Sequence, residues 1–305
     1  YLQDMTLSKA IYFGIFHSIS AFNNAGFSLF SNSLMNYRSD PMINGVIMVL
    51  IILGGLGFLV YQDVLKRIKR EVFRLSLHTK VVLVTTMVLI LTGWAGVLLF
   101  EHRNPMTLQA LSWTDQGMTA LFQTVSVRTA GFNTIDIGSL SAPTLYLLVI
   151  LMFIGGSPGS TGGGIKTTTL AIMAVALWST MRGHAEATLF YRRISPQAIA
   201  KAFFLATMAM ILVTGMTLLL LYSEGQNINM LRTLFEVTSA AGTVGMSTGD
   251  GGVLSFSALF SGFGKAVIVL TMFMGRLGPL IIGVTAMQRL RHERFRYPEG
   301  KIMIG

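Results

Sequence analysis

Five long apolar segments constrain this chain more than any other feature of its sequence. They cover residues 41–61, 81–100, 143–178, 198–222 and 265–288. Each is near or above the roughly 20 residues that a helix needs to cross the hydrocarbon core of a bilayer. A buried helix of a soluble protein can also be apolar on every side, but five such segments in one chain are typical of a membrane protein. The sequence therefore predicts an all-α, multi-pass transmembrane fold.

The composition argues against several other classes of function. Charged residues make up 12% of the chain, which is about half the share found in soluble domains. The chain has no cysteine, so disulfides and thiolate chemistry are excluded, and its five histidines never form the i, i+4 pair of a helical zinc site. No Ser-His-Asp set or pair of carboxylates marks a catalytic pocket. We therefore expect neither enzymatic activity nor a cofactor.

The basic residues fall in three stretches that alternate with the apolar segments. Because of this alternation, the net charge of +10 does not indicate a nucleic-acid partner. The positive-inside rule places the three stretches in the cytoplasm, where they are candidates for contact with anionic lipid head groups. They contain 15 of the 23 Lys and Arg residues: Lys66, Arg67, Lys69, Arg70, Arg74 and Lys80; Arg182, Arg192, Arg193 and Lys201; and Arg289, Arg291, Arg294, Arg296 and Lys301.

Three stretches between the apolar segments repeat one pattern. Each stretch opens on Phe, carries a central Ser and closes on five residues in the order polar, small, Gly, apolar, polar. These five closing residues are called the first, second and third strings (residues 24–28, 129–133 and 243–247). The surrounding pieces, residues 11–30, 121–134 and 234–248, are too short to cross and are predicted to be re-entrant. The predicted pore-lining residues are Asn24, Ala25, Gly26 and Phe27; Thr129, Ala130, Gly131 and Phe132; and Thr243, Val244, Gly245 and Met246.

The physics of a half-helix followed by such a string indicates a cation path. The C-terminal end of a half-helix carries partial negative charge, and rings of backbone carbonyls can replace the hydration shell of potassium. Glycine permits the dihedral angles that turn successive carbonyls toward one axis. A single copy would more often be a packing glycine, but three copies at equivalent places favour a filter.

A glycine-rich stretch interrupts the segment 143–178, which is too long for one straight crossing at about 1.5 Å per residue. We call residues 155–164 the glycine loop and predict that it joins two helices, with few side chains to anchor it, so that opening costs little. A phosphate-binding loop is disfavoured because Ile165 separates Gly164 from Lys166. A flexible kink and a pore gate remain open. The candidate gate residues are Gly159, Ser160, Thr161, Gly162, Gly163, Lys166 and Arg276.

Taken together, the strings, residues 155–169, residues 275–279 and Tyr297-Pro298-Glu299 resemble the Trk/Ktr/HKT superfamily of potassium transporters, and most closely the membrane subunit of bacterial Ktr systems. The resemblance implies potassium uptake across the bacterial cytoplasmic membrane, sodium dependence, and a gate at the glycine loop beside Arg276. It also implies a cytoplasmic nucleotide-binding ring subunit as partner and a homodimer. A Trk-type subunit, proton-coupled or channel-like, and a non-transporting scaffold are the alternatives.

The family pattern implies four repeats around a pseudo-fourfold pore, whereas this sequence has three strings. We therefore expect a fragment that lacks the first repeat, with residues 1–70, 71–185 and 186–305 as the second, third and fourth repeats. Two charged residues next to the strings also carry expectations. Arg128 is expected to face the outer vestibule, and Glu236 to pair with Arg232 or Arg128.

Overall fold

The structure is a computed structural model that describes residues 5–225, 228–251 and 254–288, with side chains in the last helix up to Arg276. The described residues are mostly helical, as expected for an α-helical membrane protein. In chain order the helices are α1 (Leu7–Phe22), α2 (Pro41–Leu56), α3 (Phe58–Ile68), α4 (Leu77–Glu101), α5 (Trp113–Ser126), α6 (Ala142–Phe153), α7 (Thr167–Met181), α8 (Pro196–Glu224), α9 (Met230–Gly242) and α10 (Gly262–Gln288).

Three short helices, α1, α5 and α9, each lead into one string. Side-chain caps fix where two of them begin: Ser112 accepts from the N–H of Asp115 at the start of α5, and Asn229 accepts from two N–H groups at the start of α9. Helix α2 packs against α1 and α5, and α6 packs against α9. Each string therefore follows a short helix that packs against more apolar helices.

The first apolar segment is not one continuous span, so its prediction over residues 41–61 was wrong. Helix α2 ends at Leu56, and α3 leaves it at an angle of 99°. Gly57 makes the break with a φ of 89°, a backbone conformation that residues other than glycine rarely adopt. The N–H of Phe58 donates to the carbonyl of Gly159 at 3.2 Å, so the break is bonded to the glycine loop.

The break predicted in the third apolar segment is confirmed. Helix α6 ends at Phe153, α7 begins at Thr167, and the glycine loop lies between them. By length and composition, α4 and α8 are the described helices that can cross a membrane alone, and α2 with α3 counts as a third if the bent pair is one span.

A short β-hairpin lies within this mostly helical fold. Strands β1 (Thr188–Leu189) and β2 (Arg192–Arg193) pair between α7 and α8, and the Arg193 guanidinium lies 3.1 Å from the Glu186 carboxylate. The third predicted basic stretch, from Arg289 to Lys301, and the motif Tyr297-Pro298-Glu299 lie outside the described residues.

Carboxylates at the ends of α4 and α8 tie these helices to the start of α6 and α10. Glu101 is fully buried and accepts from both the N–H and the hydroxyl of Ser141, and also from Asn104 and Thr107. Glu224 makes the same two bonds to Ser261. The negative charge also faces the positive end of each helix dipole, so both ties stabilise the helix starts.

Replacing Glu101 by Ala is expected to lower the free energy of unfolding by roughly 3 kcal/mol, because four hydrogen-bond donors around this buried carboxylate lose their charged acceptor. Thermal unfolding of the full-length protein in one detergent measures this. Glu224→Ala is the matched control, and a smaller loss is expected because that carboxylate is only half-buried. Equal unfolding midpoints for both variants and the wild type would contradict the assignment.

Candidate functional site: three strings above a glycine loop

The three strings share one backbone conformation. The first and third residue of each has a positive φ: Asn24 and Gly26 at 51° and 71°, Thr129 and Gly131 at 84° and 86°, Thr243 and Gly245 at 53° and 82°. The second residue of each donates its N–H to the carbonyl of the central Ser, at 2.9 Å in all three copies. Because the sign of φ alternates along each string, its successive carbonyls do not point along the axis of the preceding helix. The pattern of carbonyl directions is the same in all three strings.

Neighbouring strings lie side by side, although they are far apart in sequence. A Cβ on Gly26 would overlap the carbonyl oxygen of Ala130, and a Cβ on Gly131 would overlap that of Val244. The amide of Asn24 and the hydroxyl of Thr129 are 3.2 Å apart and form a hydrogen bond in either orientation of the amide. The order in space is therefore first, second, third string.

Each outer string has at least one exposed residue, whereas the central string has none. Phe132 of the second string is fully buried, whereas Phe27, its counterpart in the first string, is 70% exposed. No described atom lies within 4 Å of a Cβ placed on Gly245. Within the described residues, the row of strings thus has an open flank at each end.

The glycine loop lies directly beneath the strings. A Cβ on Gly162 would crowd the hydroxyl of Thr129, and one on Gly163 would overlap the hydroxyl of Thr243. The loop is closed at its base, where the N–H of Gly156 donates to Gly163 at 3.1 Å and the N–H of Gly155 to Ile165 at 2.9 Å. The predicted filter and gate residues are therefore brought together.

The loop is anchored more firmly than we predicted from its composition. Both Ser157 and Thr161 donate their N–H groups to the end of α2, at Gly55 and Gly54 respectively, and the Thr161 hydroxyl also donates to Gly54 at 3.0 Å. With about 1 kcal/mol for each net hydrogen bond, these contacts make opening more costly than expected. Most of these bonds are made by backbone N–H groups, so the expectation that few side chains anchor the loop stays a prediction. The partners lie on α2, which is distant in sequence.

Both predicted cations of the gate donate to carbonyls of the loop. The Lys166 ammonium lies 2.7 Å from the Gly162 oxygen, and the Arg276 guanidinium lies 2.9 Å from the Thr161 oxygen. Arg276 comes from α10 and Lys166 from the start of α7, so the loop is held from two directions. Of the other predicted gate residues, Gly159 accepts from Phe58, and Ser160 has a buried hydroxyl without a hydrogen-bond partner.

Arg128 does not face an outer vestibule, so that expectation was wrong. Its side chain is buried, and the guanidinium donates to the Gly155 carbonyl at 3.3 Å, at the base of the glycine loop. The reason is the direction of α5, which starts at Ser112 and runs toward the loop, so a residue just past its end lies deep. Arg128 is a third cation that contacts the loop, and its sequence position next to a string gave no sign of this.

Glu236 forms an ion pair with neither Arg232 nor Arg128, so that expectation was wrong. Its carboxylate accepts from the Ser247 hydroxyl at 2.7 Å and from the N–H of Ser257 at 3.1 Å. Helix α9 turns this side chain toward the segment that leaves the third string, so Glu236 fastens the end of that string instead of neutralising a cation.

Long apolar helices, together with three short helices that each lead into a string, are typical of an integral membrane protein. The chain matches the TrkH family, described as cation transport protein, over residues 2–296, and it belongs to that family. It is therefore placed among cation transporters and not among enzymes.

Several relatives share most of this chain's length. It is 38% identical to Ktr system potassium uptake protein B of Bacillus subtilis over 98% of this chain and 64% of that protein. It is 34% identical to the protein of the same name from Vibrio alginolyticus, over 100% of this chain and 65% of that protein. It is 35% identical to the potassium/sodium uptake protein NtpJ of Enterococcus hirae, over 100% of this chain and 66% of that protein. The chain thus spans about two thirds of the length of these relatives.

A solved structure supports the fold. The potassium transporter TrkH from Vibrio parahaemolyticus superposes with a TM-score of 0.68 over 94% of this chain and 60% of that one, at 24% sequence identity. At this level of identity the likeness concerns the arrangement of the helices alone.

Proposed function

We propose that the full-length protein takes up potassium through a pore whose narrowest part is lined by the carbonyls of the three strings. The observation that carries this proposal is the shared conformation of the strings, with positive φ at the first and third residue and direct contact between neighbours. Carbonyls so arranged can replace water around a dehydrated cation. The names of the Ktr and TrkH relatives, which are potassium uptake proteins and a potassium transporter, support potassium as the ion.

The proposed pore is pseudo-fourfold and is completed by a fourth string outside this sequence. The open flanks at Phe27 and Gly245 support this, because each of the two contacts between described strings places a glycine against a neighbouring carbonyl. In this arrangement residues 1–70, 71–185 and 186–305 form the second, third and fourth repeats, each with a half-helix and a string.

The glycine loop is proposed to be the gate. It lies under Thr129 and Thr243 and is held by Lys166, Arg276 and Arg128. A loop so placed blocks ions that leave the strings toward the basic end of the helices. For the glycine loop to open, its carbonyls and these three cations must give up their hydrogen bonds to one another and bind other partners.

Sodium dependence is part of the proposal. The relative named potassium/sodium uptake protein supports it. The second candidate is a Trk-type subunit that is proton-coupled or channel-like, in keeping with the name of the TrkH family. Potassium uptake into proteoliposomes that contain the full-length protein, with and without external sodium, separates the two. Uptake accelerated by sodium supports the first, equal uptake supports the second, and no uptake by folded protein contradicts both.

A cytoplasmic nucleotide-binding ring subunit is the proposed partner, and a homodimer the proposed assembly. Neutralising Lys66, Arg67, Lys69 and Arg70 to Gln is expected to weaken binding of the cognate soluble subunit about tenfold or more, since each exposed charge contributes up to about 1 kcal/mol. Co-purification at two salt concentrations measures this. Arg38→Gln with Arg103→Gln is the charge control. Co-purification that survives both the fourfold neutralisation and high salt would show that this surface is not the contact.

A further inference from the structure

The β-hairpin between α7 and α8 turns on two aromatic residues in an unfavourable conformation. Thr188 pairs with Arg193 and Leu189 with Arg192, so Phe190 and Tyr191 alone form the turn. Their φ values are 48° and 62°, the geometry of a type I′ turn, in which Asn-Gly is preferred. Each left-handed non-glycine residue costs on the order of 1–3 kcal/mol. The two aromatic side chains therefore weaken the turn, which indicates a role other than hairpin stability.

The side chains of the turn are presented outward. Tyr191 is fully exposed, and Phe190 is 42% exposed. Arg192 follows directly and is also exposed, and among the described ion pairs it has none, whereas Arg193 is engaged by Glu186. The tip thus combines an aromatic pair with an available guanidinium.

The turn lies close to one end of α4 and one end of α7. The Phe190 ring lies 6.0 Å from the Lys80 ammonium, in the first turn of α4, which is long and apolar enough to cross the membrane. At the end of α7, the Arg182 guanidinium stacks 4.6 Å from the ring of Trp178, which is itself 57% exposed. The turn therefore lies beside the start of α4, and its hairpin is bonded to the end of α7.

Aromatic rings and cations beside these helix ends match the chemistry of the membrane–water interface. Tyr and Trp rings are enriched at the head-group level, and each nearby Lys or Arg contributes about 1 kcal/mol to attraction toward anionic lipids. We propose that the hairpin is an interfacial anchor that binds anionic phospholipid head groups. Phe190 and Tyr191 enter the head-group layer, and Lys80, Arg182 and Arg192 bind the phosphates.

The anchor is connected to the glycine loop through α7. The Ser179 hydroxyl donates to the Glu186 carbonyl at 2.8 Å, and the N–H of His184 donates to the Ser179 carbonyl at 3.0 Å. The hairpin is thus fixed to the last turn of α7. The other end of α7 begins at Thr167, directly after Lys166. Binding of lipid at the hairpin sets the height of α7 in the membrane.

A double substitution separates lipid binding from folding of the hairpin. Phe190→Asn with Tyr191→Gly installs the preferred residues of a type I′ turn, so the hairpin is expected to be kept. Phosphatidylglycerol is expected to raise the unfolding midpoint of the wild-type full-length protein in detergent, and both this variant and Arg192→Gln to lose at least half of that increment. Equal increments in all three proteins would overturn the proposal. Because the readout is lipid stabilisation, this result is independent of potassium uptake.

A label at the tip distinguishes a membrane from a soluble partner. The sequence has no cysteine, so Tyr191→Cys in the full-length protein, with any cysteine outside this sequence replaced, carries one fluorophore. In vesicles of phosphatidylcholine and phosphatidylglycerol, the label is expected to be quenched by head-group spin labels and shielded from iodide. Full quenching by iodide in vesicles, with shielding only after the soluble subunit is added, would instead assign the tip to a protein partner and overturn the proposal.

Discussion

Replacing Gly131 by Ala in the full-length protein is expected to reduce the discrimination of potassium from sodium about tenfold or more. A Cβ at this position overlaps the Val244 carbonyl oxygen, and the φ of 86° is strained for alanine. Strain of about 1–3 kcal/mol is relieved by moving the second string away from the third, and about 1.4 kcal/mol corresponds to a factor of ten. Competition between the two ions for uptake measures the ratio.

Two further glycines make this experiment specific. Gly117 lies on α5, ahead of the same string, and a Cβ there meets nothing within 4 Å, so Gly117→Ala is expected to retain the wild-type ratio. Gly245→Ala carries the same backbone strain, with a φ of 82°, but within the described residues its Cβ meets nothing. Its loss therefore measures the effect of the strained φ, and any excess loss in Gly131→Ala measures the effect of contact with Val244. Unchanged selectivity of Gly131→Ala, with normal membrane expression, would contradict the filter assignment.

Deletion of residues 159–163 from the full-length protein is expected to raise potassium uptake in the absence of the soluble subunit about tenfold or more. The deletion removes the bonds of the loop to Phe58, Lys166 and Arg276, each worth about 1 kcal/mol or more. The bond from the N–H of Gly155 to the carbonyl of Ile165, at 2.9 Å, lies outside the deleted segment, so the base of the loop is expected to stay closed around the new junction of Pro158 and Gly164.

A graded variant controls for misfolding of the deletion. Thr161→Val removes only the hydroxyl bonds to Gly54 and Phe22 and is expected to raise uptake by less than the deletion does. Both proteins are compared by size-exclusion chromatography before reconstitution. A monodisperse deletion protein with wild-type uptake and unaltered control by the soluble subunit would rule out the loop as the gate.

Features with a local sequence signal were predictable. The strings are repeated in sequence, and the break between α6 and α7 follows from the length of the segment and from its glycines, because glycine and proline disfavour helix. Arg276 and Lys166 were predicted as gate residues, and a cation at membrane depth requires polar partners. The structure supplies those partners as carbonyls of Thr161 and Gly162.

Features that depend on distant partners were not predictable from one sequence. The bend at Gly57 interrupts an apolar run, and its cause is a bond to Gly159, about a hundred residues away. Glu101 and Ser141 are separated by 40 residues, with no periodic pattern that links them. The depth of Arg128 follows from the direction of α5 in the folded chain. In each case the deciding contact is tertiary.

Anomalous diffraction from crystals of the full-length protein grown with thallium or rubidium in place of potassium tests the central claim most directly. These ions report where a dehydrated potassium ion binds. The account predicts a peak on the axis between the strings, within coordination distance of carbonyls from residues 24–27, 129–132 and 243–246. A well-ordered filter region without a peak there, or a single strong site elsewhere in the protein, would contradict it.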